Sequence, residues 1–137
     1  MFKVSFLFFI FSLMFSSSSF AGEREDVLTV VDYFYQGDHQ GSKKYRELSL
    51  HPQGAYRYVN SKGEYKEYTF TFSEGNADKS YQEELLSVDI YENVALVRLR
   101  LAFKDKEEIE YKLMTLHKSS KGWLITSISW GMGITIL

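Results

Sequence analysis

The chain has 137 residues, ten tyrosines, no cysteine and a formal charge of −2, which excludes a disulfide framework, a thiol nucleophile and a lipid-modified N-terminal cysteine. Sixteen basic side chains against eighteen acidic ones, with no Lys or Arg cluster, argue against a nucleic-acid partner. The length supports one sizeable core and therefore one domain.

The first 21 residues read as a signal peptide for export. Lys3 precedes an apolar run from Val4 to Phe15, and Ser19 and Ala21 occupy the small-residue positions before a cut ahead of Gly22. The alternative is an uncleaved anchor, whose 12-residue apolar run falls short of the roughly 20 residues that span a bilayer. Cleavage leaves 22–137 as the mature domain, periplasmic or secreted, without a later membrane span and held together by its core alone.

Val27, Val30, Val31 and Phe34 recur at intervals of three and four, which predicts a helix with one apolar stripe, stopped by Gly37. Asp38 to Ser42 reads as a polar turn. Tyr45, Leu48 and Leu50 predict a second, shorter helix closed by His51-Pro52. Tyr56 to Asn60 reads as a strand and Ser61 to Gly63 as a turn; Tyr65 to Phe72 is either a strand or a strand running into a short helix, and Ser73 to Ser80 is a loop.

From Leu86 onward the alternation of apolar and polar residues predicts four antiparallel strands, carried by Leu86, Val88 and Ile90, by Val97 to Phe103, by Ile109 to Thr115 and by Trp123 to Trp130. In the middle hairpin, a two-residue loop at Asp105-Lys106 would set Leu101 against Glu110. A three-residue loop instead pairs Leu99 with Leu113, Leu101 with Tyr111 and Phe103 with Ile109, and is preferred because it keeps like faces together. Trp123 and Ile125 then fall on one face of the last strand, and Leu124, Ile128 and Trp130 on the other. With Met114, Leu116 and the tail Ile134 to Leu137, this predicts a partly apolar reverse face, either a homodimer contact or an edge covered by the chain's own termini.

Four segments, in this order, carry a resemblance: Tyr33 to Asp38, Leu50 to Ala55, Val88 to Arg98, and Lys121 to Ile125. The chain resembles the nuclear transport factor 2-like superfamily and, within it, the lumazine-binding or SnoaL-like branch. The resemblance implies an α+β cone, with N-terminal helices packed on a curved, mainly antiparallel sheet around a pocket, and dimers built through the sheet. Gln53 departs from an acid that relatives often carry, and Tyr68 to Glu74 is unusually rich in Thr and Phe where relatives usually have a third helix. Steroid-isomerase relatives use a first-helix tyrosine and sheet carboxylates. The matching positions here hold Val30, Val59 and Leu113, none of which transfers a proton, so that chemistry is disfavoured.

Among the histidines, His39 and His51 read as solvated or capping groups, while His117, in phase with Leu113 and Thr115, could point into the cone near its mouth. No histidine pair has metal-ligand spacing and no phosphate-binding loop or nucleophile motif is present, so no catalytic set, metal or cofactor is expected. A ligand pocket is predicted from Val30 and Phe34 on the first helix, Tyr45 on the second and Tyr56 and Tyr58 on the first strand. Leu99, Leu101, Tyr111, Leu113 and His117 complete it from the meander. Such a lining suits a small, largely apolar molecule held by a few hydrogen bonds, or else these side chains simply fill the core. The leading expectation is an exported small-molecule binder. The alternatives are an isomerase, dehydratase or cyclase using His117 or a pocket tyrosine, and an interaction module working through the sheet.

Overall fold

The computed structural model describes residues 2–132, with side chains over 21–131. The side chains of residues 1–20 of the predicted signal, and the tail Ile134 to Leu137, lie outside the described residues. Among those described, no helix is long and apolar enough to cross a membrane.

Two helices, α1 (Phe2–Gln40) and α2 (Lys43–Ser49), precede six strands: β1 (Leu50–Val59), β2 (Tyr65–Thr69), β3 (Tyr81–Tyr91), β4 (Val94–Phe103), β5 (Ile109–Ser119) and β6 (Gly122–Met132). They form one sheet in the order β2-β1-β6-β5-β4-β3, antiparallel throughout except where β1 runs parallel to β6. The helices pack on one face of a mixed, mostly antiparallel sheet, which is the α+β cone expected. The predicted stripe Val27, Val30, Val31 and Phe34 is buried against Val97, Met114, Leu116, Ile125 and Ile128.

Gly37 does not stop α1. The helix runs on to Gln40, and Gly41, at a φ of +64°, supplies the left-handed residue that ends it. The Ser42 amide then donates to the Gly37 carbonyl at 3.0 Å, a Schellman-type closure. Gly37 serves packing instead, because a Cβ there would lie 3.1 Å from the Arg46 backbone nitrogen. The second helix also ends earlier than expected, at Ser49, and Leu50-His51-Pro52 open β1. Pro52 falls in the irregular stretch between Leu50 and Ala55, where β1 is out of step with β6, so its missing N–H breaks no ladder bond. Of the two readings for 65–72 the strand holds, and it ends at Thr69. Phe70 to Ser80 forms no third helix.

The preferred register of β4 on β5 is wrong. Leu101 stands opposite Glu110, Leu99 opposite Lys112 and Val97 opposite Met114. The deciding elements lie further along, because the tight turn between Ser119 and Gly122 leads Trp123 and Ile125 onto the core face, with Ile125 opposite Leu116. Burying Trp123, Ile125, Leu116 and Met114 outweighs burying Ile109, Tyr111 and Leu113, which are 42, 44 and 41% exposed on the reverse face. Leu101 stays in the core, and it is β5 that turns over.

Two single-residue bulges explain the remaining differences. Thr126 is the extra residue of β6, so Trp123 and Ile125 before it and Ile128 and Trp130 after it all share the core face. Leu86 is the extra residue of β3, and its side chain is 46% exposed although Val88 and Ile90 beyond it turn inward. At Gly54 the chains approach so closely that a Cβ would meet Phe70 Cε2 at 2.5 Å and the Thr126 carbonyl at 2.8 Å.

Candidate functional site

The corrected register carries a charge into the core. Lys112 shares the phase of Met114 and Leu116 and is 3% exposed. Its ammonium donates at 2.6 Å to Oε1 of Glu83 on β3, a carboxylate whose side chain is 8% exposed. The same nitrogen sits 4.8 Å from the centroid of Phe34 and 5.0 Å from that of Tyr81, so one carboxylate and two ring faces replace its water.

Above this pair opens a cleft of about 310 Å³ between the C-terminal end of α1 and the sheet. Phe34 and Asp38 enter it from α1, Tyr56 from β1, Leu101 and Phe103 from β4, Glu110 and Lys112 from β5, and Trp130 from β6. Tyr56 and Trp130 stack at 5.1 Å with planes 16° apart, and Tyr58 meets the Trp130 ring edge-on at 5.5 Å. The Tyr81 hydroxyl donates to Asp38 Oδ2.

Burial, reinforced by the Asp38 charge, raises the Tyr81 phenol far above its ordinary range. Tyr56 is pushed up to about 12, chiefly by burial. Both are therefore neutral hydrogen-bonding groups at physiological pH.

The loop after Phe70 delivers a further acid. The Asp78 amide donates to the Asp38 carbonyl and the Gly75 amide to the Gly41 carbonyl, both at 2.8 Å, which satisfies acceptors left open at the end of α1. Arg46, nearly buried, donates to the carbonyls of Ser73 at 2.5 Å and Gly75 at 2.8 Å and so pins the loop to α2. Asp78 thereby reaches the cleft, its carboxyl held below the usual range by bonds from the Ser80 hydroxyl and amide. His39 touches two carbonyls, Tyr35 through Nδ1 at 3.1 Å and Tyr81 through Nε2 at 2.8 Å, and is a bracing residue between α1 and β3.

Three of the ten predicted pocket residues meet in the cleft: Phe34, Tyr56 and Leu101. Val30 and Leu99 are core residues that border other grooves, Val30 beside Trp123 and Leu99 beside Leu85. Tyr45 packs on Tyr33 at 5.7 Å, away from the cleft, and Tyr58 backs the Trp130 ring. Tyr111, Leu113 and His117 project from the reverse face, because the register turned β5 over; His117 there contacts Thr126 Oγ1 through Nδ1 at 2.7 Å. His51 accepts from the Gln53 amide at 3.0 Å. Sequence reasoning missed Asp38, Asp78, Tyr81, Phe103, Glu110, Lys112 and Trp130. The available signal was Met114 and Leu116, whose phase on β5 is that of Lys112. Among the described residues no group of His, Asp or Glu is arranged to hold a metal ion.

No family model matches the sequence, and no curated protein matches it. Solved structures do match in fold. An NTF2-like protein of unknown function from Shewanella baltica aligns with a TM-score of 0.67 at 12% identity, over 84% of this chain and 97% of that one. Another of unknown function, from Silicibacter pomeroyi, aligns at 0.64 and 13%, over 82% and 98%. A protein from Shewanella frigidimarina, described as a candidate ketosteroid isomerase, aligns at 0.57 and 15%, over 77% and 94%.

Proposed function

Starting from a chain that has the nuclear transport factor 2-like fold, we propose that it is an exported domain that binds a small molecule in the cleft between α1 and the sheet. The observation that carries this reading is the cleft itself, where stacked aromatic rings stand beside hydrogen-bonding groups at Asp38, Tyr56 and Glu110. Rings supply apolar contact and the polar atoms supply orientation, the combination that small-molecule sites use. Export rests on Lys3, the apolar run to Phe15 and the Ser19 and Ala21 positions. The reading includes a homodimer through the reverse face, where Leu86, Ile109, Tyr111 and Leu113 are each more than two-fifths exposed. It does not include the steroid-isomerase chemistry, because Val30, Val59 and Leu113 cannot move a proton.

Native mass spectrometry of the full-length gene product, purified under mild conditions from its own host, tests the reading. The expected result is a chain beginning at Gly22 with a retained small-molecule mass that Trp130→Ala abolishes. A ligand-free protein, or a ligand retained equally by the variant, would refute the cleft as the site.

A further inference from the structure

The cleft's charge is lopsided. Asp38, Asp78 and Glu110 face it, and among the described residues the one cation in its lining, Lys112, is already neutralised by Glu83 beneath. Of the neighbouring cations, Arg46 is committed to the carbonyls of Ser73 and Gly75, and Lys106 is held over the ring of the cleft residue Phe103 at 5.2 Å. Among the described residues the Asp38 carboxylate accepts one bond, from Tyr81, and the Glu110 carboxylate has no side-chain partner. Among the described residues, an anion entering here would meet three carboxylates against one ammonium without a carboxylate partner, Lys106 on the Phe103 ring.

The walls point the same way. Aromatic faces carry negative potential and attract cations. The protein already uses this on the cleft floor, where the Lys112 ammonium is held by Phe34 and Tyr81. Higher up, the stacked Tyr56 and Trp130 are not covered by any cation of the described chain.

We propose that the cleft selects an organic cation, its ammonium group placed among Asp38, Asp78 and Glu110 and its flat or short apolar body laid on the Tyr56–Trp130 pair. This rests on the reading of the cleft as the ligand site and adds the ligand's charge class to it. Rings without the acids would accept any flat molecule, and acids without the rings would bind only hydrated ions. Together they favour a cation with an apolar body.

Calorimetric titration of the purified protein with three probes of similar size tests the proposal: benzyltrimethylammonium, benzyl alcohol and benzoate, at equal ionic strength. Benzyltrimethylammonium should bind about tenfold more tightly than benzyl alcohol, and benzoate should not bind detectably. Glu110→Gln and Asp78→Asn, both at positions with access to solvent, should each weaken the cation by about threefold and leave benzyl alcohol unchanged. Trp130→Leu should weaken both. Benzyl alcohol or benzoate binding as tightly as the cation would overturn the charge class while leaving the cleft as a ligand site. No binding of any probe to a folded protein would also overturn the cation proposal, and retention of a host-derived ligand would then judge the cleft separately.

Discussion

Removing the Lys112 ammonium should cost more than any other single change in the cleft. At 2.6 Å the attraction between Lys112 and Glu83 is about 6 kcal/mol at an effective dielectric of 20, before the desolvation of both groups is subtracted. Lys112→Met keeps most of the volume but strands a carboxylate whose neighbours include Leu28, Val31, Leu85 and Leu99. Breaking a buried pair in this way costs about 3–5 kcal/mol, and a domain of this size should lose roughly 10–20 °C of melting temperature. Glu83→Leu should cost less, because the ammonium keeps its two ring faces. The double variant should recover most of the loss, since apolar side chains of similar volume commonly match a buried pair. Urea unfolding of wild type, both single variants and the double variant gives the cycle directly. A loss below about 1 kcal/mol for Lys112→Met, or a double variant as unstable as that single one, would refute the buried-pair argument.

Two further predictions address the frame around the cleft. Gly54→Ala forces a methyl group onto Phe70 and the Thr126 carbonyl, and should destabilise the fold by about 1–3 kcal/mol in the same urea assay; a change under about 0.5 kcal/mol would show that the approach can relax. The cleft tyrosines set the alkaline limit. Because folded Tyr56 holds its proton up to about 12, against an ordinary value of 10.0, its contribution is intact below pH 10 and is lost as pH rises through 12. Absorbance titration at alkaline pH should show Tyr56 and Tyr81 ionising only with unfolding, and Tyr56→Phe should flatten that alkaline loss. Ionisation of all ten tyrosines before the unfolding transition would contradict it.

The parts of the fold legible in the sequence are those where one period repeats without interruption. The stripe Val27, Val30, Val31 and Phe34 identifies the core face of α1, and the alternation through Val97, Leu99 and Leu101 identifies that of β4. The candidate site was hidden because β5 is apolar on both faces. Ile109, Tyr111 and Leu113 compete with Met114 and Leu116, and local alternation favours the first set. The choice is made by Trp123 and Ile125 across the next turn, and by the extra residue Thr126, which brings Ile128 and Trp130 into line with them. A bulge has no composition signal, and reading through it reverses every later assignment. The register that local alternation favours sends Lys112 to solvent, and the Glu83 that neutralises it lies 29 residues away in sequence. The end of α1 escaped for another reason: Gly37 and Gly41 both qualify as stops, and only contact with Arg46 distinguishes a packing glycine from a terminating one.

The sheet order has a temporal consequence. Of the six described strands β6 comes last in the chain, yet it lies between β1 and β5 and is what joins the β1–β2 ribbon to the β3–β5 ribbon. Until it emerges the two ribbons share no ladder, and Trp130 is not there to meet Tyr56. A nascent chain with this topology holds its two ribbons unjoined until residues 122–132 have been made, so the contacts that unite the described sheet form late and between distant segments.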